Sequence, residues 1–221
     1  MHAHISQFRR PKTGPKRPVR LAVVRKRDRA GKQDALVRAA MDLFASRGFD
    51  RTTTREIAAR AGCAEGLIHR YFQGKAGLLF ALMRSYSQKL ANQPNLAPRG
   101  TNLQSEIQNL LQWEVESLWD DRNFLRVAVP RAMVDPEIGR LVNRVGSARR
   151  VKVILKRLHD TQGKVASRKE KELRALAHAI SALGFAFGFV RHVVFELDPR
   201  ETKKLTAEIA RIFSRGFQRA A

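Results

Sequence analysis

The chain has 221 residues and one cysteine, Cys63, so it can bury a core without metals and cannot form an internal disulfide. Its 43 Lys and Arg against 20 Asp and Glu leave a net charge of +23, which implies a polyanionic partner, nucleic acid first among them. The longest apolar stretch, Ala179 to Val190, contains Ser181 and reads as too short to span a bilayer; Leu21-Ala22-Val23-Val24 falls short of a secretory core. A soluble chain in the cytoplasm is therefore expected, with no membrane partner.

Residues 1–30 hold ten Lys or Arg against Asp28 alone, together with Pro11, Pro15 and Pro18 and no sustained apolar periodicity. This composition predicts a disordered basic arm. Such an arm can reach phosphates or an adjacent minor groove, lie on an anionic membrane surface, or remain a solvated tail. From Lys32 the pattern turns helical: Leu36, Ala39, Ala40, Leu43 and Phe44 recur at three and four residues, and Gly48 stops the run. Thr53 with Glu56 reads as a capping box opening a second helix, whose apolar side is Ile57, Ala58 and Ala61 and whose end is Gly62. A third helix is predicted from about Ala64 to Tyr71. After Gly74-Lys75 a fourth runs from Ala76 to about Leu90, with Leu78, Leu79, Leu82 and Met83 inward. Pro94, Pro98 and Gly100 mark a linker. Beyond it, helices are predicted at about 102–120, 122–133, 137–160, 168–196 and 201–219, with Asp135-Pro136 and Asp198-Pro199 as breaks that start new helices. No segment alternates as a strand would.

The two short helices Thr53–Ala61 and Ala64–Tyr71 have the dimensions of a helix-turn-helix, at about residues 53–72. Gly62 supplies the permissive backbone of the turn. Ile57, Ala58, Ala61, Ile68 and Phe72 are the candidate packing residues, which leaves Ala64, Glu65 and Leu67 to face outward toward base edges. The wider string is Leu43-Phe44, Gly48-Phe49, Thr53-Thr54, Glu56-Ile57-Ala58, Ala61-Gly62, Gly66, Tyr71-Phe72, Lys75 and Leu78-Leu79. Over about fifty residues it resembles the N-terminal domain of the TetR family of transcriptional regulators.

That resemblance implies an all-α fold, with a DNA-binding domain over 31–90 and a helical ligand-binding and dimerisation domain over 101–221. It also implies roles for single residues. Thr53 and Thr54 would bond a phosphate, Lys75 another, and Tyr71 would offer its hydroxyl to the DNA backbone. Gly66 would let the recognition helix sit close to the groove. Cys63, Ala64, Glu65, Leu67 and Arg70 would meet bases or flanking phosphates. His69 stands where the family usually has tyrosine, although an imidazole can still donate a hydrogen bond. Cys63-Ala64 replaces the usual Val-Ser; the cysteine reads as a small apolar filler, with a redox sensor as the alternative. Glu65 can accept from a cytosine amino group or exclude wrong sequences, and Arg70 can read guanine or grip a phosphate.

In the larger half, Ala175 to Val190 is apolar on nearly every side. Leu173, Leu176, Ile180 and Phe187 lie on one face, and Ala175, Ala179, Ala182, Ala186 and Phe189 on another. A helix of that kind must be covered on every side, and a second subunit is the simplest cover. The last helix adds Leu205, Ile209, Ile212 and Phe213. The resemblance implies a homodimer through helices 168–196 and 201–219, and an effector pocket for which Trp113, Trp119, Phe124, Met133, His178, Phe185 and Phe187 are the candidates. The expected function is a repressor that binds double-stranded operator DNA within the nucleoid and is released by a small molecule. The rival readings are a regulator that activates and a sequence-blind DNA-compacting protein. No metal-ligating cluster, phosphate-binding glycine loop or nucleophile elbow is present, so neither an enzyme nor a cofactor is expected. His2 and His4 suggest at most an adventitious metal.

Overall fold

The computed structural model describes residues 20–92, 98–162, 167–196 and 198–219, and among them every regular element is helical. The N-terminal half comprises α1 (Arg20–Arg47), α2 (Thr54–Arg60), α3 (Gly66–Phe72) and α4 (Lys75–Asn92). The C-terminal half comprises α5 (Leu103–Asp120), α6 (Arg122–Val134), α7 (Pro136–Val142), α8 (Ala148–Gln162), α9 (Ser167–Phe185) and α10 (Pro199–Arg219). A π-helical turn, Asn143–Ser147, joins α7 to α8 without a break, and a longer one, Ala186–Val194, continues α9.

The first helix begins at Arg20, well before the start near Lys32 that apolar spacing predicts. Part of the expected arm is therefore helical. The physical reason is that Leu, Ala, Arg and Lys are good helix formers and that propagation costs little once a helix exists downstream. An i,i+4 pair from Lys32 Nζ to Asp28 (2.9 Å) reinforces the junction. Residues 1–19 of the arm lie outside the described residues. The single helix predicted for 137–160 is instead α7, the π-helical turn and α8.

Two apolar clusters hold the molecule. The first contains Leu36, Ala40 and Phe44 of α1, Ile57 and Ile68 of α2 and α3, and Leu78, Leu82 and Met83 of α4. It does not stop at the linker between α4 and α5, because Phe124, Leu125, Val127, Ala128 and Ile138 belong to the same cluster. The second joins Leu103, Ile107, Leu110 and Leu111 of α5 to Ile154 and Leu158 of α8, Leu173 and Ile180 of α9, and Ala210 and Phe217 of α10. α5 is thus the central rod.

Charges on the apolar face of α5 are answered from α8. Glu106 is buried and accepts from Arg157 Nε (2.6 Å), and Arg150 Nη1 donates to buried Glu114 (3.3 Å). Arg157 also donates to the Pro98 carbonyl (2.8 Å), and Gly100 N–H donates to Glu106 (2.6 Å), so the linker's end is tied to both helices.

The apolar helix runs over Ser167–Val194, close to the predicted span of 168–196. Lys169–Val194 is 26 residues and contains an 18-residue window of mean hydropathy 1.6, enough by length and composition to cross a membrane. Here it is a core helix: Leu173, Ala177 and Ile180 are fully enclosed by α5, α8 and α10. Its other side is open in the single chain, with Ala175 and Ala182 exposed. Phe189, expected on that second side, is buried in the first cluster.

Candidate nucleic-acid interface

α2 forms where the sequence placed it. Thr53 Oγ1 accepts from Glu56 N–H (3.2 Å) while Glu56 Oε2 accepts from Thr53 N–H (2.9 Å), a complete capping box. The Thr53 N–H and the Thr53 hydroxyl, both donating to Oε2 (2.9 Å each), hold the Glu56 carboxyl below the usual carboxylate range. Gly62 ends the helix at φ +62°, and Cys63 N–H reaches back to the Ala58 carbonyl (2.9 Å). Only a residue tolerant of left-handed backbone fits that turn.

α3 starts later than predicted, at Gly66. Glu65 stands at its N-cap position but gives no cap, because its carboxylate accepts from Thr54 Oγ1 (2.6 Å) across the turn. Ile68 is fully buried between the helices, and Ala64, Glu65, Gly66, His69 and Arg70 form an exposed strip. Three candidates depart from an outward role. Leu67 is half-buried against the core instead of facing out: it lies next to buried Ile68, and the short helix turns it inward. Cys63 is likewise packed at the core edge, with Sγ 3.5 Å from the Ala61 carbonyl. Tyr71 leans on the core, and the Arg29 guanidinium lies 5.3 Å from its ring centroid.

Lys75 is engaged within the protein. Its Nζ donates to the carbonyls of Phe49 (3.0 Å), Asp50 (3.3 Å) and Thr52 (2.9 Å), and it sits 4.5 Å from the Phe49 ring centroid. An ammonium has three donors, and all three are used here. Lys75 therefore closes the loop between α1 and α2. Sequence reasoning missed this, since nothing local marks a contact over more than twenty residues. It also passed over Arg51, Arg55 and Arg60, which are exposed on and beside α2.

A cavity of about 510 Å³ lies among α4, α5, α6, α8 and α9. Of the seven pocket candidates, Phe124, His178 and Phe185 line it. Trp119 lines a separate hollow beside His192 and Thr202. Met133 is 81% exposed, because α6 turns its last residues to solvent. Trp113 and Phe187 also lie outside the cavity: their rings sit beside Arg150 and Arg191.

The cavity's polar wall was not anticipated. Tyr86 on α4 donates to Asp121 Oδ2 (2.5 Å) and stacks on Phe124. Lys89 donates to Asp121 Oδ1 (2.9 Å), and Arg150 donates to Ser117 (3.1 Å) and pairs with Asp121 (3.6 Å). Burial raises the Glu114 carboxyl to about 7 against the opposing pull of Arg150, and burial also raises the Tyr86 hydroxyl. For Arg150, burial acts to lower the pKa, but Glu114 and its other partners outweigh it and leave the guanidinium above its usual value. The signal in the sequence was Glu106 and Glu114, about two turns apart on an apolar stripe, matched by Arg150 and Arg157 about two turns apart on another.

Residues 36–82 match the sequence profile of bacterial regulatory proteins of the tetR family. The chain is 45% identical over 49 residues to the uncharacterized HTH-type transcriptional regulator YvkB of Bacillus subtilis, covering 22% of this chain and 26% of the relative. It is 32% identical over 123 residues to the HTH-type transcriptional regulator BetI of Cronobacter sakazakii, covering 52% of this chain and 59% of the relative. The matches thus span less than two thirds of the length of these curated relatives. Among solved structures, a putative TetR-family transcriptional regulator from Rhodococcus superposes with TM-score 0.61 at 16% identity, covering 83% of this chain and 98% of that one. The fatty acid degradation regulator FadR of Bacillus halodurans gives TM-score 0.58 at 20% identity, covering 81% and 94%. At those identities the likeness is one of fold. Over its helix-turn-helix segment, residues 36–82, the chain is similar to the tetR family of bacterial regulatory proteins.

Proposed function

We propose that the protein is a cytoplasmic, sequence-specific DNA-binding transcriptional regulator that works as a homodimer and leaves its operator when a small molecule fills the cavity. The observation that carries the DNA-binding reading is the exposed strip Ala64, Glu65, Gly66, His69 and Arg70 on a helix whose other side is locked by Ile68. Side chains there meet base edges when the helix enters a major groove, and Arg70 is the residue with donors suited to guanine. Thr54 gives its hydroxyl to a phosphate by releasing Glu65, which is then free to accept from a base.

Dimerisation is supported by α10. Its face toward α5 is small and polar, with Thr202, Thr206, Ala210 and Ser214 buried, while Leu205 and Ile212 point outward at 38% and 62% exposure. That apolar side needs a cover, and a second copy brings two recognition helices to two half-sites. Release is supported by α4, which starts at Lys75 beside α3 and forms the cavity wall at Tyr86. A molecule that binds one setting of α4 better than another shifts the spacing of the two heads by that difference in affinity.

The test is selection of bound fragments from genomic DNA, followed by competition between the recovered duplex and a scrambled one at moderate salt. A preference for the recovered sequence is expected, with Arg70→Ala costing about 1–3 kcal/mol at one base position. Equal affinity for both duplexes with a steep salt dependence would instead identify a DNA-compacting protein.

A further inference from the structure

We infer that the cavity takes an apolar molecule bearing one amine, bound with its ammonium group at the free oxygen of Glu114. This rests on reading the cavity as the effector site. Glu114 lines the cavity and is 0% exposed; one carboxylate oxygen accepts from Arg150, and Oε2 has no hydrogen-bond partner. A buried carboxylate oxygen without a donor is unfavourable, and a ligand that supplies the donor removes that cost.

The surroundings select the donor's charge. Arg150, the cation nearest the carboxylate, is already engaged by Glu114, Ser117 and Asp121. Asp121 in turn takes Tyr86 and Lys89. A ligand carboxylate entering here would compete with two resident acids for one guanidinium. An ammonium meets a buried acceptor that lacks a donor, in a poorly screened site where a charge-assisted hydrogen bond is strongest. The other ionisable group on the wall is His178, from α9.

Gly184 lets α9 pack directly against this carboxylate. A Cβ at that position would sit 2.4 Å from Glu114 Cβ and 3.1 Å from its Oε2, so α9 comes against the carboxylate only because the side chain is absent. The remaining wall, including Leu118, Val129, Val142 and Phe185, suits a hydrocarbon or aromatic body.

The experiment is calorimetric titration of the full-length protein with decylamine, decanol and decanoate, each below its micelle-forming concentration. Decylamine is expected to bind at least about tenfold more tightly than the other two, and Glu114→Gln to weaken it about tenfold while leaving decanol within about twofold. The inference is overturned if decanoate binds as tightly as the amine, if Glu114→Gln leaves the amine unaffected, or if none of the three binds. Should Glu114→Gln not fold, the ranking of the three probes on the unaltered chain decides. Preference for the recovered duplex, measured without any probe, tests the regulator reading separately. A chain that prefers its duplex but favours decanoate keeps that reading and loses this inference.

Discussion

Lys75 shows how a side chain read as a DNA contact can be committed elsewhere. Its three hydrogen bonds fasten the entry to α2, so Lys75→Met should lower the unfolding free energy by about 1.5–3 kcal/mol, the scale of hydrogen bonds to a charged group. Chemical denaturation checks this; a variant as stable as the parent and impaired only in DNA binding would restore the phosphate role. Glu114 makes a prediction about pH. Its folded pKa of about 7 lies above the ordinary carboxylate value, so the folded state holds a proton that the unfolded state has released. Stability from this group is full at acid pH and declines as pH rises from the unfolded value toward about 7, by on the order of 3 kcal/mol. Glu114→Gln should flatten that part of the profile, which urea denaturation across the range measures. Neither behaviour was legible in the sequence. A lysine after a glycine carries no mark of what will lie opposite it, and the matched spacing of Glu106 and Glu114 with Arg150 and Arg157 signals a pairing only once α5 and α8 are known to pack together.

The elements themselves were largely legible, because their signals are local. Thr53 and Glu56 sit three residues apart, and the helix that they cap begins where that spacing requires. Thr53→Ala should therefore destabilise the N-terminal half by about 0.5–2 kcal/mol even without DNA, as read by thermal melting. If the melting point does not move, the cap contributes nothing beyond its geometry. Boundaries failed where tertiary contacts outweighed local pattern. α1 extends back to Arg20 through good helix formers that carry no periodic stripe. α3 begins at Gly66, with Glu65 before it already in helical backbone and its side chain held by Thr54. The π-helical turn at Asn143–Ser147 has no sequence signature that periodicity can detect, yet it supplies Asn143, Val145, Gly146 and Ser147 to the cavity wall. That is why the aromatic residues chosen from composition found the cavity only in part: Phe124, His178 and Phe185 face it, while the tryptophans sit on other faces of α5.

At the level of the whole molecule, the apolar cluster that runs from α1 into α6 and α7 makes the two halves mechanically continuous. The outer side of α10 is where a second chain is expected. Ile212→Glu should leave the fold intact, give a monomer in sedimentation analysis and cost most of the duplex preference; a dimer that persists would move the interface elsewhere. A last consequence follows from the paired acids of α5 and bases of α8. Glu106 with Arg157 and Glu114 with Arg150 act as two rungs of a ladder. Sliding α8 by one turn would strand both carboxylates among aliphatic side chains, a cost that hydrophobic contacts do not recover. These helices therefore form a stiff frame, and under the proposed release mechanism the motion passes through α4, α6 and α7. Hydrogen exchange with and without a bound molecule should show protection changing along that second set and staying constant along the frame.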